Sequence, residues 1–561
     1  MDSIRSKSSQ ETKSFFFALA AFFIGLSIAL INIFPVLFQE NIVQDDFRQS
    51  YFWVWRFWDP TLFPKSFLID IYRSHITRTP LVNLIFHLGP YVTSSLVFYS
   101  KVLAIIISTF SSLFAYLYFN QLTKDKLLSL FFTVIMSFVF WYTDHVSNAC
   151  TRCYLWVGLY AYLYFRELNK KHLASLTCFI MLFMSPFTFL LCITMEFFNL
   201  LFSLDFKNFL KALKENKSSL IWLSVNMFSV AFMYLFLFKD IKTMAIGKTF
   251  TLEEMKRLPE LNPGGRHPIF DGELLNGNWF SSVHWGLPLG GLDTDLIIIL
   301  LLIFIPIFSY LFFNKNKIPS ILRSNALILF YSSIALYILA QITFPTLYLP
   351  NRYISIPWLL LVLLLPFLFI KEFLVFLRKK KIAYTNVIYL LLIICLSIVL
   401  YFTRMLREPG FVAMTPEIKA ATEVLPKDSI IAAHPDLHDI NMVDVITKRT
   451  AFVDRERSVA YSKETLGEIR RRTIETFKMT YATSKDELIK LMEINGVTHI
   501  LAHKQFYRPK YLDNPIYLEP YNKTLKLIIS ENREKGFYLK SLLKKRCEKY
   551  FLISLEELKN S

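Results

Sequence analysis

Residues 173–203 read LASLTCFIMLFMSPFTFLLCITMEFFNLLFS. The run is far longer than the roughly 20 residues that one membrane crossing takes. Pro186 sits at its centre, where a missing N–H and a bulky ring disfavour a continuous helix. Two short membrane helices turning at Ser185-Pro186 satisfy both constraints, whereas a single kinked span would invert everything after it.

The composition leaves no room for a soluble globule: 54% of the 561 residues are hydrophobic, 16% are aromatic, and the mean hydropathy is +0.40. Further candidate spans fall at 15–37, 94–119, 219–238, 295–313, 324–342, 354–371 and 385–403. Two shorter ones, 127–142 and 152–166, can cross among other helices. With the hairpin this gives about 11 transmembrane helices. Putting the N-terminus in the cytoplasm gives 20 Lys and Arg in 65 cytoplasmic residues against 13 in 133 external ones. That bias of roughly threefold obeys the positive-inside rule and favours the hairpin. The net charge of +18 then reflects topology rather than nucleic-acid binding. The first span is too long for a cleavable signal and is expected to stay as an anchor.

The expected fold class is a polytopic α-helical membrane protein, with residues 1–403 forming the membrane domain and 404–561 an extracytoplasmic α/β domain. External loops span 38–92 and 239–294. The second of these is rich in turn residues, NPGGRHPIFDGELLNGNWF (262–280) and HWGLPLGGLD (284–293). In the tail, the strand-like runs DSIIAAH (428–434), TAFVD (450–454), THILAHK (498–504) and YFLISL (550–555) alternate with amphipathic stretches at 463–482 and 484–496. That alternation predicts a largely parallel sheet. No glycine-rich phosphate loop follows any of these strands.

Ionisable residues collect at the external boundary. Asp45, Asp46 and Arg48 follow the first span directly, just before the aromatic run YFWVWRFW (51–58), which suits a short helix lying in the membrane interface. Arg73, His75 and Arg78 come later in that loop, Asp144, His145 and Arg152 lie in the second, His267 and His284 in the large one, and Arg352 opens a span. Carboxylates beside several arginines suit an anionic substrate together with a proton acceptor or a metal. Lys101 falls inside the second span, where it either reaches the interface or points into a cavity. Three patterns carry blander readings. One aspartate of the pair can cap the interfacial helix, HPDLHD (434–439) has metal-like ingredients without a recognisable spacing, and CTRC (150–153) lacks the second pair that a zinc site needs.

The first span with QDDFRQ (44–49) and its aromatic run, the tip SPFTFLLC (185–192), LYLPNRY (347–353) and the external α/β tail together resemble the GT-C superfamily of integral-membrane glycosyltransferases. Within it the chain looks like the bacterial branch that depends on polyprenyl-phosphate sugars. The resemblance implies a plasma-membrane (bacterial inner-membrane) enzyme of the cell envelope that transfers a sugar from a polyprenyl-phosphate-linked donor to a glycan, lipid or protein acceptor on the extracytoplasmic face. It implies Asp45 and Asp46 as the catalytic pair, Asp144 near a second acidic motif and Arg352 on the lipid phosphate; Arg48, Arg78, His145 and Arg152 join them as substrate-binding candidates from their place at the external boundary. Membrane lipids are expected partners, and nucleic acid is not. TDHVS (143–147) departs from the Asp-x-Asp of some members. A divalent cation, magnesium or manganese, therefore stays an option with no ligands assigned. Inversion is the expected stereochemistry, since one base and a phosphate leaving group suffice. The rival reading is a transporter, flippase, polymerase or ligase of lipid-linked glycans.

Overall fold

The computed structural model describes residues 2–64, 66–69, 79–142, 153–203, 217–232, 250–268, 325–343, 352–354, 357, 360, 410–459, 462–546 and 548–560. The expected spans at 295–313 and 385–403, and most of 354–371, lie outside these residues. So do Arg73, His75, Arg78, Asp144, His145, Cys150, Arg152 and His284.

The chain begins with α1 (Asp2–Ile33), whose stretch Ser14–Val36 is long and apolar enough to cross a membrane. Phe15, Phe16, Phe23 and Ile31 are exposed along it, whereas Ala21, Ala29 and Ile33 are buried. The strand β1 (Ile42–Gln44) and the short helix α2 (Asp45–Ser50) follow, then α3 (Pro80–His87). The apolar helices are α4 (Leu96–Thr123), α5 (Lys126–Tyr142), α6 (Tyr154–Glu167), α7 (Lys171–Met184), α8 (Pro186–Ser203), α9 (Lys217–Phe232) and α10 (Asn325–Ile342).

Small residues set how closely α1 approaches α4. Ala21, Gly25 and Ala29 recur every fourth residue and so share one face of α1, the arrangement that lets helix backbones approach in a membrane. A Cβ added at Gly25 would lie 2.6 Å from that of Ser112. Behind this contact, Ser112 Oγ is 2.6 Å from Ser137 Oγ, and Trp141 Nε1 donates to Ser108 Oγ at 2.9 Å. The polar atoms of the seam are thus satisfied between helices. Lys101 of α4 is buried, and its ammonium donates to the carbonyls of Val36 (2.6 Å) and Gln39 (2.7 Å). It fastens the turn that follows α1, since Val36 and Gln39 also accept from the Gln39 and Ile42 N–H groups, and it lies near the end of the helix, where the dipole favours a cation.

The helices break at Ser185 as the sequence suggests. Cys178 Sγ lies 3.9 Å from the carbonyl of Phe189. In a continuous helix, residues eleven apart would be separated by about 16 Å. The chain therefore folds back on itself at Ser185-Pro186, which is the hairpin expected from the sequence.

The C-terminal unit contains β2 (Phe411–Ala413), β3 (Ile430–Ala433), β4 (Thr450–Ala451), β5 (His499–His503) and β6 (Tyr550–Ser554). The four runs read as strands form one sheet in the order β4-β3-β5-β6, parallel except for β6. Its helices include α11 (Lys463–Thr480), α12 (Lys485–Asn495) and α13 (Tyr521–Arg533). α12 is bounded by local chemistry. The Ser484 hydroxyl accepts from the Glu487 N–H at 3.2 Å, and Gly496 at φ +63° supplies the left-handed residue that ends the helix.

Both faces of this sheet are covered. Ala432, Ile500 and Ala502 pack with the helices of the unit, for example Phe477, Leu488 and Leu525. Ile431, Ala433 and Leu501 point the other way and pack with Val43, Phe47, Tyr51, Phe52, Trp53 and Trp55 from the first external loop. The aromatic run is therefore not an interfacial anchor. From Tyr51 to Trp55 it is at most 3% exposed, with the sheet packed over it. Among the described residues of this loop, Phe38, Leu84, Leu88, Tyr91 and Val92 are left open, while Val82 and Phe86 on α3 turn inward. Strand pairing supports the same docking. β1 runs antiparallel to β2, with Ile42 opposite Ala413 and Gln44 opposite Phe411, so the end of α1 and the C-terminal unit lie on one side of the bundle.

His434, which the sequence marked as metal-like, is a core residue. Its ring stacks on Phe506 with centroids 3.8 Å apart, its Nδ1 accepts from the Asp436 N–H at 3.2 Å, and its Nε2 lies 3.0 Å from the Tyr511 hydroxyl. The other members of HPDLHD are employed separately: Asp436 pairs with Arg455 at 2.5 Å, and Asp439 accepts from the Thr415 N–H at 2.6 Å.

Two predictions follow from this packing. Gly25→Val forces α1 away from Ser112 and should cost about 1–3 kcal/mol, seen as a lower thermal midpoint of the detergent-solubilised protein. Burial pushes the His434 imidazole from 6.5 down to about 3. A depressed folded-state pKa means a contribution to stability that is complete above pH 6.5 and lost as pH falls toward 3. Comparing unfolding midpoints of wild type and His434→Phe between pH 7 and 4 should therefore show the steeper fall in wild type.

Candidate functional site

α2 begins immediately beyond β1, and its N-cap is Gln44, whose side-chain oxygen accepts from the Phe47 N–H at 3.0 Å. Neither aspartate is the capping residue. Asp45 and Asp46 occupy the first turn, where the helix dipole favours negative charge. The Asp45 N–H donates to the Gly410 carbonyl at 2.8 Å, which ties the start of the helix to the segment leading into β2.

One turn on, Arg48 is 4% exposed. Its Nε and Nη2 both donate to Asp45 Oδ1, at 2.7 and 2.5 Å. A charge this buried requires a partner, and Asp45 supplies it. Arg48 Nη1 makes no hydrogen bond among the described residues. Asp45 itself is 43% exposed, so it holds Arg48 while still facing outward.

A third carboxylate, which the sequence reading missed, arrives from the C-terminal unit. Glu456 lies with Oε1 3.9 Å from Arg48 Nη2, accepts from Gln49 Nε2 at 2.8 Å, and is bonded by Arg266 Nη2. Arg266 also donates through Nε to the Arg455 carbonyl at 3.1 Å. Glu456 thus stands between arginines from two external loops. Its neighbour Arg457 is fully buried between Asp454 and Asp444 (2.5 Å to the latter), with its guanidinium 4.4 Å from the Phe52 ring centre. Burial pushes the Asp444 carboxyl up to about 6 against the opposing pull of Arg457. The alternating charges of DRER (454–457) were the available signal. Read alone, they describe a solvated turn.

Further contacts fasten the same seam. Trp55 Nε1 donates to the Val445 carbonyl at 2.7 Å, and the Lys448 ammonium sits 4.0 Å over the Trp55 ring. Lys427 bonds Asp59 at 2.5 Å and holds that carboxyl down at about 2. In the large loop, Glu260 receives Arg470 through two parallel bonds of 2.6 and 2.8 Å.

Arg352 belongs to a different segment. Its neighbour Tyr353 packs on Phe187 just past the hairpin turn, with ring centroids 4.9 Å apart. Met184, at the end of α7, packs against the apolar cluster that contains Val43 and Phe47. Arg78, Asp144, His145 and Arg152 lie outside the described residues. Among the described residues no three His, Cys, Asp or Glu side chains converge as metal ligands, and Asp45 is engaged by Arg48. A magnesium or manganese ion therefore enters no step derived below.

Removing Glu456 tests how the seam is held. Glu456→Ala leaves Arg48 and Arg266 without this acceptor and should cost roughly 1–3 kcal/mol, whereas Glu456→Gln keeps the bond from Gln49 and should cost less. Limited proteolysis at the loop 250–268 and thermal unfolding would read the difference, and equal destabilisation by the two variants would show that the lost charge, not the retained acceptor, holds the seam.

No protein-family model matches the chain, and no curated protein does at a significant level. Solved structures do. The apo oligosaccharyltransferase of Archaeoglobus fulgidus aligns over 91% of this chain and 72% of its own, with 11% identity and a TM-score of 0.50. A complex of that species' oligosaccharyltransferase AglB with an inhibitory peptide and a dolichol-phosphate aligns over 95% and 72%, with 11% identity and a TM-score of 0.48. A complex with zinc and sulfate aligns over 91% and 70%, with 10% identity and a TM-score of 0.43. At these identities the likeness is one of fold alone: a mostly helical chain with apolar helices and a C-terminal mixed sheet, as in the apo oligosaccharyltransferase.

Proposed function

We propose that the protein is an integral-membrane glycosyltransferase that moves a sugar from a polyprenyl-phosphate-linked donor to an acceptor hydroxyl or amide at the extracytoplasmic face. The observation that carries this reading is the Asp45–Arg48 pair on the helix directly beyond α1, under the C-terminal Glu456. It joins an outward-facing carboxylate to a buried guanidinium with an unused N–H. The fold likeness supports the same class.

In the reaction, a carboxylate of the Asp45–Asp46 pair takes the acceptor proton as the acceptor atom bonds to the anomeric carbon. The anomeric carbon–oxygen bond breaks and its electrons leave on the lipid phosphate. Arg352 offers a planar fork matched to phosphate oxygens, and Arg48, whose Nε and Nη2 are held by Asp45, adds positive charge beside the pair, so both stabilise the departing charge. Arg78, Asp144, His145 and Arg152, which lie outside the described residues, belong to this proposal as further substrate-binding residues. In this reading residues 1–403 hold the lipid and 404–561 close the site from outside. The β1–β2 pairing supports an even number of crossings between residues 44 and 411, as an eleven-span chain has.

The test is turnover of a labelled polyprenyl-phosphate sugar by wild type, Asp45→Asn and Asp46→Asn in membranes. Loss of the base should cut turnover by about 10²–10⁴-fold, and the product should be inverted. Equal rates in all three proteins would remove the pair from catalysis.

A further inference from the structure

A second concave surface lies on the C-terminal unit, away from α2. A cleft of about 610 Å³ opens where residues 505–518 meet the loop at Gly264. The two walls come from distant parts of the chain and are joined by the Glu519 N–H donating to the Gly264 carbonyl at 2.9 Å. Its volume falls in the range of small-ligand clefts, roughly 300–1,000 Å³.

Its chemistry is mixed in a specific way. Two tyrosine rings, Tyr511 and Tyr517, line it. Both are fixed from behind by the core: Tyr511 through its hydroxyl on His434, and Tyr517 edge-on to His434 and Phe477, with centroids 6.1 and 5.3 Å away. Amides are supplied by Gln505 and Asn514, and cations by Arg455, Arg508 and Lys510. Of the carboxylates close by, Asp436 is paired with Arg455 and Asp513 with Arg533, each at 2.5 Å, and Glu519 beside Gly264 accepts from Asn522 Nδ2 at 3.2 Å, which leaves the cations Arg508 and Lys510 in excess. The cleft thus carries surplus positive charge beside the half-buried ring of Tyr511, with the buried Tyr517 beneath it.

Pyranose rings present apolar C–H faces that stack on aromatic rings, with hydroxyls around the edge that suit amides and guanidinium groups. A sugar carboxylate adds the bidentate partner that arginine prefers. We propose that this cleft binds a short acidic saccharide, two or three residues long with uronate-type carboxylates, as part of the acceptor. The glycan role rests on the transferase reading above, but the binding does not require it.

The experiment uses the full-length protein in nanodiscs and three probes: trigalacturonate, neutral maltotriose and triglutamate, followed by saturation-transfer NMR and titration. Trigalacturonate should bind saturably, at least tenfold more tightly than either other probe. The double variant Arg508→Gln/Lys510→Gln, distant in sequence from the proposed catalytic pair, should weaken trigalacturonate binding tenfold or more while leaving the thermal midpoint unchanged. Absence of saturable binding, parity with maltotriose, or indifference to the double variant overturns the proposal. Equal or tighter binding of triglutamate makes the cleft an acidic-peptide site and overturns it too. If trigalacturonate binds while the wild type turns over no polyprenyl-phosphate sugar, the transferase reading fails and the saccharide site stands.

Discussion

Burial of Tyr51, Phe52, Trp53 and Trp55 beneath the C-terminal sheet is the contact on which the remaining architecture depends. Fully burying a side chain of phenylalanine size contributes roughly 1.5–3 kcal/mol, so this short run is a large adhesive between the loop after α1 and the sheet. The sheet needs it equally. A parallel sheet exposes apolar side chains on both faces. One is covered by the long helices of the C-terminal unit, and the other by the loop after α1 together with Ile418 and residues 440–446 of the unit, so loop and sheet share a core.

Charge is distributed around that apolar seam as the cost of desolvation requires. Arg48, Arg457 and Asp444 are buried, and each meets an opposite charge within hydrogen-bonding distance. The groups that remain partly open, Asp45 and Glu456, sit at the rim. A carboxylate at this rim has a fixed arginine beside it and a folded unit over it, which orients it without burying it deeply. Lys101 performs the corresponding service one layer deeper, where it fastens the turn after α1 and fixes the direction in which the chain enters β1.

Much of this was legible in residue order because the signals are local. The break at Ser185-Pro186 follows from proline chemistry, the four tail strands from β-branched runs between turn residues, and α12 from a serine cap and a closing glycine. The aromatic run 51–58 was legible as an element and misleading as to its surroundings. Trp and Phe beside a span suit a bilayer interface and a protein core equally well, and only the neighbouring chain decides. Glu456 and Arg266 were invisible for the same reason. They lie about 190 and 410 residues from their partners in the first case, and an isolated Arg or Glu in a turn-rich loop carries no mark of what it will meet.

The sequence by itself determined the membrane class, the hairpin and the strand content, since hydropathy, proline geometry and strand periodicity act over a few neighbouring residues. Tertiary structure alone decided the strand order β4-β3-β5-β6, the pairing of β1 with β2, and which carboxylates face which arginines. Those outcomes are set by contacts between segments hundreds of residues apart, and nothing in a local stretch of chain records its distant partner.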